Sequence, residues 1–285
     1  MFDIQKVIFI CGPTASGKSA HATDLAREIG GEIVNGDAFQ LYRGLEILSA
    51  APSEQEKSLA PHHLYGALDP SAKNDAQAYV NLAAPVIAEI QSRGKIPIVT
   101  GGSGLYLKFL THGASPLPTG DLEMRQQLDA RPLEALVAEL EKLDPEEAAR
   151  TNLKNRRYVS RALEICLLSG QKASVLRDQW QSSTQKIESQ LNGRLITLPR
   201  PTLHARIAKR TRMMLSGGAL QEVERLQAAS PTLEKAIGFR EIRSLLAGEI
   251  QLDACEELIN AATRQYAKRQ ETWFRRESWL TPVQA

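Results

Sequence analysis

Residues 12 to 19 read Gly-Pro-Thr-Ala-Ser-Gly-Lys-Ser, which fits GxxxxGK[ST]. Each residue type there helps to hold an anion. The glycines let the backbone close around phosphate oxygens. A helix starting just after them turns its free N–H groups and the positive end of its dipole to the same place. Lys18 adds a mobile positive charge, and the Ser19 hydroxyl can ligate Mg2+. Gly12, Pro13, Thr14, Ala15, Ser16, Gly17, Lys18 and Ser19 therefore form a candidate phosphate site. The motif specifies phosphate; it does not specify ATP.

Asp37 lies in Gly36-Asp37-Ala38-Phe39-Gln40, just after a short apolar run. A carboxylate at the carboxyl edge of an open α/β sheet stands where such sheets bind ligands. It can serve as a general base or join a metal's water shell, and a solvated turn aspartate is the plain alternative. Gln40 either reads a base edge or is a surface residue. A second glycine loop, Gly101-Gly102-Ser103-Gly104, places the Ser103 hydroxyl where it can meet a phosphate or leaving oxygen, unless the loop is a plain turn. Arg206, Lys209, Arg210 and Arg212 follow the last apolar run, where they could reach a diphosphate or a nucleic-acid backbone; an exposed amphipathic helix is the plain alternative for this and each other basic cluster. Arg157 and Arg161 share a helix face at four-residue spacing, beside Arg156. Arg264, Lys268, Arg269, Arg275 and Arg276 surround Trp273 and Phe274, a mixture that suits nucleic-acid strands, although these two aromatics read as core.

The elements that must position these groups alternate over the first 110 residues. Val7 to Ile10, Glu32 to Val34 and Ile96 to Thr100 read as buried strands. Ser19 to Ile29 and Ala76 to Gln91 read as helices, each followed by glycine. This rhythm predicts a parallel sheet covered on both faces. From Asp121 to about Gln190 the pattern is helical. Leu195 to Leu198 predicts one more strand, and the remainder reads as helical. The expected organisation is an α/β core over 1–115, a helical insertion over 116–194, and completion of the core over 195–285.

Composition bounds the reading. The chain has 285 residues, 42% hydrophobic and 24% charged, as in a globular protein rather than a disordered or collagenous one. No apolar run approaches a membrane span, and the short run before the first glycine loop is not a signal peptide, so a cytoplasmic location is expected. Cys11, Cys166 and Cys255 form no CxxC pair, which argues against a zinc site or disulfide framework and fits a reducing compartment. The five histidines show no metal spacing. The total charge of +2 hides a basic middle: residues 151 to 212 hold thirteen lysines and arginines against three acidic residues, a net +10, leaving −8 elsewhere. That excess is either a surface for nucleic acid or phosphates, or a set of solvated helix faces.

With these motifs in view, the sequence resembles the bacterial tRNA dimethylallyltransferases, or tRNA isopentenyltransferases. The resemblance runs from Val7 to about Glu277 through GPTASGKS (12–19), GDAFQLYRG (36–44), PIVTGGSGLYLKFL (97–110), LDPEEAAR (143–150), RALEICLLSG (161–170), ARIAKRTRMMLSGGALQEV (205–223), KAIGFREI (235–242) and TRQYAKRQETWFR (263–275). It implies a P-loop NTPase-like fold with a helical insertion domain. It further implies transfer of a dimethylallyl group from dimethylallyl diphosphate to the exocyclic amine of adenosine at tRNA position 37, with Mg2+, by a monomer acting on the anticodon stem-loop. Residues Gly12 to Ser19, with Arg206 and Arg210, would bind the donor, and Ser19 would help to hold the metal. Lys18, Asp37 and Ser103 would be catalytic, with Asp37 as base or orienter of the amine and Ser103 near the bridging oxygen. Contacts to tRNA would come from Asp37, Ala38, Phe39, Gln40, Ser103 and Arg125, from Arg157, Tyr158, Val159, Ser160 and Arg161, and from Lys235, Ala236, Ile237, Gly238, Phe239 and Arg240. The chain departs from the family pattern at Gly36 and Ala38, which stand where Ala and Ser are usual, at Ala51, and at Asn152 to Asn155. The rival readings are a P-loop small-molecule or nucleotide kinase and a catalytically weak tRNA-binding relative.

Overall fold

The computed structural model describes residues 2–226 and 229–284. Six strands form one sheet: β1 (Ile8–Cys11), β2 (Glu32–Asn35), β3 (His62–His63), β4 (Pro97–Gly101), β5 (Asn192–Thr197) and β6 (Leu280–Gln284). Their order is β3-β2-β4-β1-β5-β6, and every pairing is parallel. Parallel neighbours need crossovers, and the helices supply them. The first four are α1 (Lys18–Ile29), α2 (Glu54–Lys57), α3 (Ala76–Ser92) and α4 (Gly104–His112). Adjacent strand residues feed opposite faces. Phe9, Val34 and Val99 join one buried cluster with Ile87, Leu107 and Phe274. Their neighbours Ile10, Ile33 and Ile98 join another with Ala22, Leu25 and Ile196. Apolar residues on both faces are what a covered parallel sheet requires.

The chain divides into two compact units, Met1–Thr111 with Gln190–Ala285, and His112–Ser189. The second is helical, with bounds differing by a few residues from 116–194. It holds α5 (Leu122–Asp129), α6 (Leu133–Leu143), α7 (Pro145–Arg150), α8 (Arg156–Ser169) and α9 (Ala173–Glu188). Leu128, Leu136, Leu140, Val159 and Leu163 form its core. Helices α10 (Arg200–Ser216), α11 (Ala219–Arg225), α12 (Phe239–Leu246) and α13 (Leu252–Phe274) return to the first unit, where they enclose a third cluster around Tyr42, Leu45, Phe239 and Ile259.

Three strands differ from expectation, and the first is β3, a two-residue edge strand that no apolar run announces. β5 starts at Asn192 rather than Leu195, because its first half is only partly covered: Asn192 is exposed and the Arg194 guanidinium meets the His21 ring at 3.3 Å. Those polar residues hide the strand from a search for apolar runs. β6 was expected to be helical. It is an edge strand, mostly exposed, in which Pro282 can forgo an N–H.

Asp144 organises the helical unit. It is fully buried and caps α7 by accepting the Glu147 N–H at 3.1 Å. It also accepts the Ser174 N–H and hydroxyl, both at 2.8 Å, in the first turn of α9. Burial pushes its carboxyl up, but these hydrogen bonds outweigh burial and hold it below the usual carboxylate range. A depressed native pKa stabilises the fold above the unfolded-state value, and this contribution is lost as pH falls through the native value. Asp144→Ala is expected to cost roughly 1–4 kcal/mol, the sum of two caps. Chemical unfolding at several pH values checks this: the wild-type advantage should be full at neutral pH and shrink below the usual carboxylate range.

Candidate active site

The loop after β1 folds as its sequence requires. A Cβ at Gly12 would lie 2.9 Å from the Ile196 carbonyl oxygen, so only glycine lets the loop start there. Gly17, with φ of 95°, turns the chain into α1 in a conformation that glycine adopts freely. No side chain caps α1, so its first-turn N–H groups face the loop unsatisfied. The Ser16 hydroxyl is buried without a partner. A buried orphan hydroxyl beside an uncapped helix start is the signature of a site built for an anion.

Helix α10 supplies the loop's arginines. It buries Leu203, Ile207, Thr211 and Met214 as one stripe, and Arg206 and Arg210 stand one turn apart beside it. Arg206 donates to the Ser16 carbonyl at 3.2 Å, and Arg210 to the Thr14 hydroxyl at 2.8 Å. The Arg210 Nε–H is buried without a partner. Burial pushes the Lys18 ammonium below its ordinary pKa, Asp37 opposes that shift, and Arg210 adds to it. Lys18, Asp37 and Arg210 thus share one electrostatic environment.

Asp37 is positioned by its own turn. Its N–H donates to Asn35 Oδ1 at 2.8 Å, and its Oδ1 accepts the Phe39 N–H at 3.1 Å. Ser103, from the loop between β4 and α4, accepts the Ala38 N–H on its Oγ at 2.9 Å. The two backbones are close enough that a Cβ at Gly101 would fall 2.1 Å from the Gly36 oxygen, so glycine is obligatory there. A pocket opens beside Asp37. Thr14 and Arg210 form a polar end with it, and Phe39, Leu48, Met214, Ala236, Ile237 and Ile259 form an apolar wall. Tyr266 also lines it; burial first, then Asp37, raise its phenol above the ordinary value, so it stays protonated.

The structure brings together the phosphate loop, Asp37, Ser103, Arg206 and Arg210. Other expected residues differ in exposure and in partners. Gln40 donates its amide to the Ser49 and Ala50 carbonyls at 3.1 and 2.8 Å, so its N–H groups brace a turn rather than wait for a base. Phe239 is fully buried, with the Arg243 guanidinium 4.6 Å over its ring, and Gly238 is the buried N-cap of α12. Both are interior structure, packed on the third cluster. Ala236 is also buried, Ile237 partly so, and both line the pocket; Lys235 and Arg240 are exposed. In the helical unit Val159 is fully buried core, which removes it from any contact surface. Arg157 and Tyr158 are exposed, and Ser160 is partly buried. Arg161 and Arg125 do not stand free: they bind buried Glu164 at 2.6 and 3.0 Å. Burial pushes Glu164 up, but Arg161, the Asp121 N–H and Arg125 hold it below its ordinary value. Phe274 is core as expected, whereas Trp273 is 39% exposed and lies against Gly104.

Two residues escaped sequence reading. Gln270 is almost fully buried on α13; its Oε1 accepts the Thr14 N–H at 2.8 Å and its Nε2 donates to the Gly102 carbonyl at 2.9 Å. The available signal was a glutamine on the stripe Ile259, Thr263, Ala267, Gln270, Phe274. Glu222 accepts the Ile47 and Leu48 N–H groups at 2.7 and 2.9 Å and so holds the loop that carries one wall of the pocket.

An all-parallel sheet with an uncapped phosphate loop at its carboxyl edge defines a P-loop NTPase-like protein, here with a half-apolar pocket and a carboxylate at the loop. The chain belongs to the IPP transferase family, whose model it matches over residues 40–277. It is 44% identical to the tRNA dimethylallyltransferase of Akkermansia muciniphila, over 98% of this chain and 93% of that one. It is 42% identical to that of Geobacter metallireducens, over 98% and 92%. Among solved structures, the tRNA isopentenylpyrophosphate transferase of Bacillus halodurans is similar, with TM-score 0.70, 32% identity, and 98% and 90% coverage. A eukaryotic dimethylallyltransferase acting on tRNA gives TM-score 0.72 at 27% identity, over 97% of this chain and 73% of that one.

The two arginines of α8 have different expected phenotypes. Arg161→Glu faces Glu164 with a like charge. It should cost roughly 2–3 kcal/mol, less than the ~3–5 for breaking a fully buried pair because Arg161 is a third exposed. Arg157→Glu should leave stability within about 0.5 kcal/mol. Unfolding curves of both variants check the contrast.

Proposed function

We infer that this chain transfers a dimethylallyl group from dimethylallyl diphosphate to the exocyclic amine of an adenosine in tRNA. The observation that carries the reading is the shape of the pocket: cationic at the phosphate loop, apolar along Leu48, Met214, Ile237 and Ile259, with a carboxylate between. A prenyl diphosphate has a charged head and a hydrocarbon tail that match these two ends. The family membership and the tRNA substrates named for its relatives agree. The proposed acceptor is the adenosine at position 37, presented by the anticodon stem-loop and flipped toward Asp37.

The amine is a weak nucleophile because its lone pair is delocalised into the ring. As that nitrogen bonds to the first prenyl carbon, the carbon–oxygen bond to diphosphate breaks and the electron pair leaves with the oxygen. Asp37 takes the proton that the amine sheds. Oδ1 already accepts the Phe39 N–H, so Oδ2 is the oxygen that takes it. The developing negative charge on diphosphate meets Lys18, Arg210 and the α1 N–H groups, which are fixed before the reaction and need no reorganisation. Ser103 is proposed to stand near the bridging oxygen; its Oγ accepts the Ala38 N–H and its hydroxyl shares a hydrogen bond with the Tyr266 phenol.

The residues present fit Mg2+. Among the described residues no cluster of three carboxylate, histidine or cysteine groups could cage a metal. Mg2+ bound to a diphosphate needs few protein ligands and keeps several waters. Ser19, in the first turn of α1, would ligate it directly. When bound, the ion supplies charge neutralisation of the leaving group.

Lys18→Ala should weaken binding of dimethylallyl diphosphate roughly ten- to a hundredfold, the loss of one charge-assisted contact of ~1.5–3 kcal/mol, and leave tRNA affinity almost unchanged. Calorimetry with each substrate checks this; an equal loss of both would reject the assignment.

Asp37→Asn keeps size and hydrogen bonds but removes the proton acceptor. Single-turnover prenyl transfer should fall by roughly 10²–10⁴-fold, with both substrates still bound within a few-fold. Near wild-type transfer would sink the base assignment, and ATP hydrolysis or phosphoryl transfer from ATP in the absence of any prenyl donor would favour a kinase.

A further inference from the structure

We propose that Gln270 is a positioning residue that sets the distance between the diphosphate cradle and the carboxylate that receives the amine proton. This rests on the prenyl-transfer reading above. The ladder between β1 and β4 ends at the Cys11–Gly101 pair. Beyond it the two strands run into the phosphate loop and the Ser103 loop. Gln270 continues the ladder with a side chain: its Oε1 accepts the Thr14 N–H at 2.8 Å and its Nε2 donates to the Gly102 carbonyl at 2.9 Å. The fit is tight, since a Cβ at Gly102 would stand 2.1 Å from Nε2.

From each end of that amide, bonds reach the reacting groups. On one side the Thr14 hydroxyl accepts from Arg210. On the other, Gly102 leads to Ser103, whose Oγ accepts the Ala38 N–H next to Asp37. The clamp uses the Thr14 N–H, so this group is not part of the anion cradle; the unpartnered Ser16 hydroxyl and the uncapped start of α1 are. Gln270 therefore touches neither the donor nor the base. It fixes two loops whose separation becomes the distance between nucleophile and electrophile. Rates are steep in that distance: a misplacement of about 1 Å can cost 10²-fold.

The test compares Gln270→Leu, which keeps the volume and removes both backbone hydrogen bonds and the one to the Tyr266 phenol, with Gln270→Glu. The glutamate carboxylate can accept from Thr14 but repels the Gly102 carbonyl. Once protonated it donates to Gly102 and accepts from Thr14, matching the amide. Single-turnover transfer is measured with saturating dimethylallyl diphosphate and tRNA across pH, inorganic pyrophosphate binding by calorimetry, and melting temperature alongside. Lys18, Asp37, Arg210, Cys11 and Tyr266 surround the site in all three proteins, so a rise with acid that is present in the glutamate ratio and absent from the leucine ratio is set by residue 270. The leucine variant should transfer roughly 10–100-fold more slowly, with pyrophosphate affinity within a few-fold of wild type. The glutamate variant should be slow at neutral pH, and its ratio to wild type should climb as pH falls.

Recovery with acid within one folded protein cannot come from misfolding. A wild-type rate in the leucine variant, a pyrophosphate affinity that falls in step with the rate, or a glutamate ratio flat in pH would overturn the proposal. A glutamate variant unfolded even in acid would overturn it too, because the residue would then be architectural. If the wild type neither binds pyrophosphate nor transfers a prenyl group, the functional reading fails first and the proposal with it.

Discussion

Strand β4 lies between β2 and β1, with Thr100 opposite Asn35 and Thr100 again opposite Ile10. That register ends three strands at one level, so the loops after Cys11, Asn35 and Gly101 leave the sheet side by side. Their closeness is a steric matter. Gly36 and Gly101 approach so nearly that a Cβ on the second would overlap the backbone of the first. The phosphate loop, Asp37 and Ser103 are therefore neighbours because small residues let the backbones meet. A larger residue at Gly101 would separate them before it altered any chemistry.

Electrostatics then complete the site. Two cations, Lys18 and Arg210, are taken partly out of water around one carboxylate. Such a group carries an excess of positive charge, which suits an anion. Helix α10 can deliver Arg206 and Arg210 because its opposite stripe is apolar and fixed against the core. The pocket walls come from the third cluster, whose Met214, Ala236 and Ile259 both hold α10 to α13 and face the cavity. The side chains that hold the core together thus also form the apolar wall of the pocket.

Much of this was legible in the residues. Strands β1, β2 and β4 are apolar on both faces, and α1 and α3 end at glycines, so the parallel core could be read to within about two residues. The misses have a common cause. Strands at the far edge of the sheet are covered on one side at most, and β5 and β6 carry Asn192, Arg194 and Pro282, which no search for apolar runs retrieves. The helical unit was recognised by periodicity, but periodicity does not say which charges are spoken for. Arg157 and Arg161 look equivalent in the chain, yet Arg161 lies against a buried glutamate while Arg157 is exposed.

The site shows the same division. Lys18, Asp37 and Ser103 were visible because their residue types follow glycine loops at strand ends. Gln40 was equally visible and proved to brace a turn, because an amide can donate to a carbonyl of its own chain as readily as to a base. Gln270 and Glu222 were invisible as functional residues, lying far along the chain from the loops they hold. A polar residue on a buried stripe announces that some partner exists, since leaving it unpaired would cost about 1–3 kcal/mol. Which partner it has depends on what the fold brings opposite. Here that is a backbone N–H on the phosphate loop and a carbonyl beside Ser103, two groups that strand pairing has already brought together but cannot hold at a fixed separation beyond the strand ends.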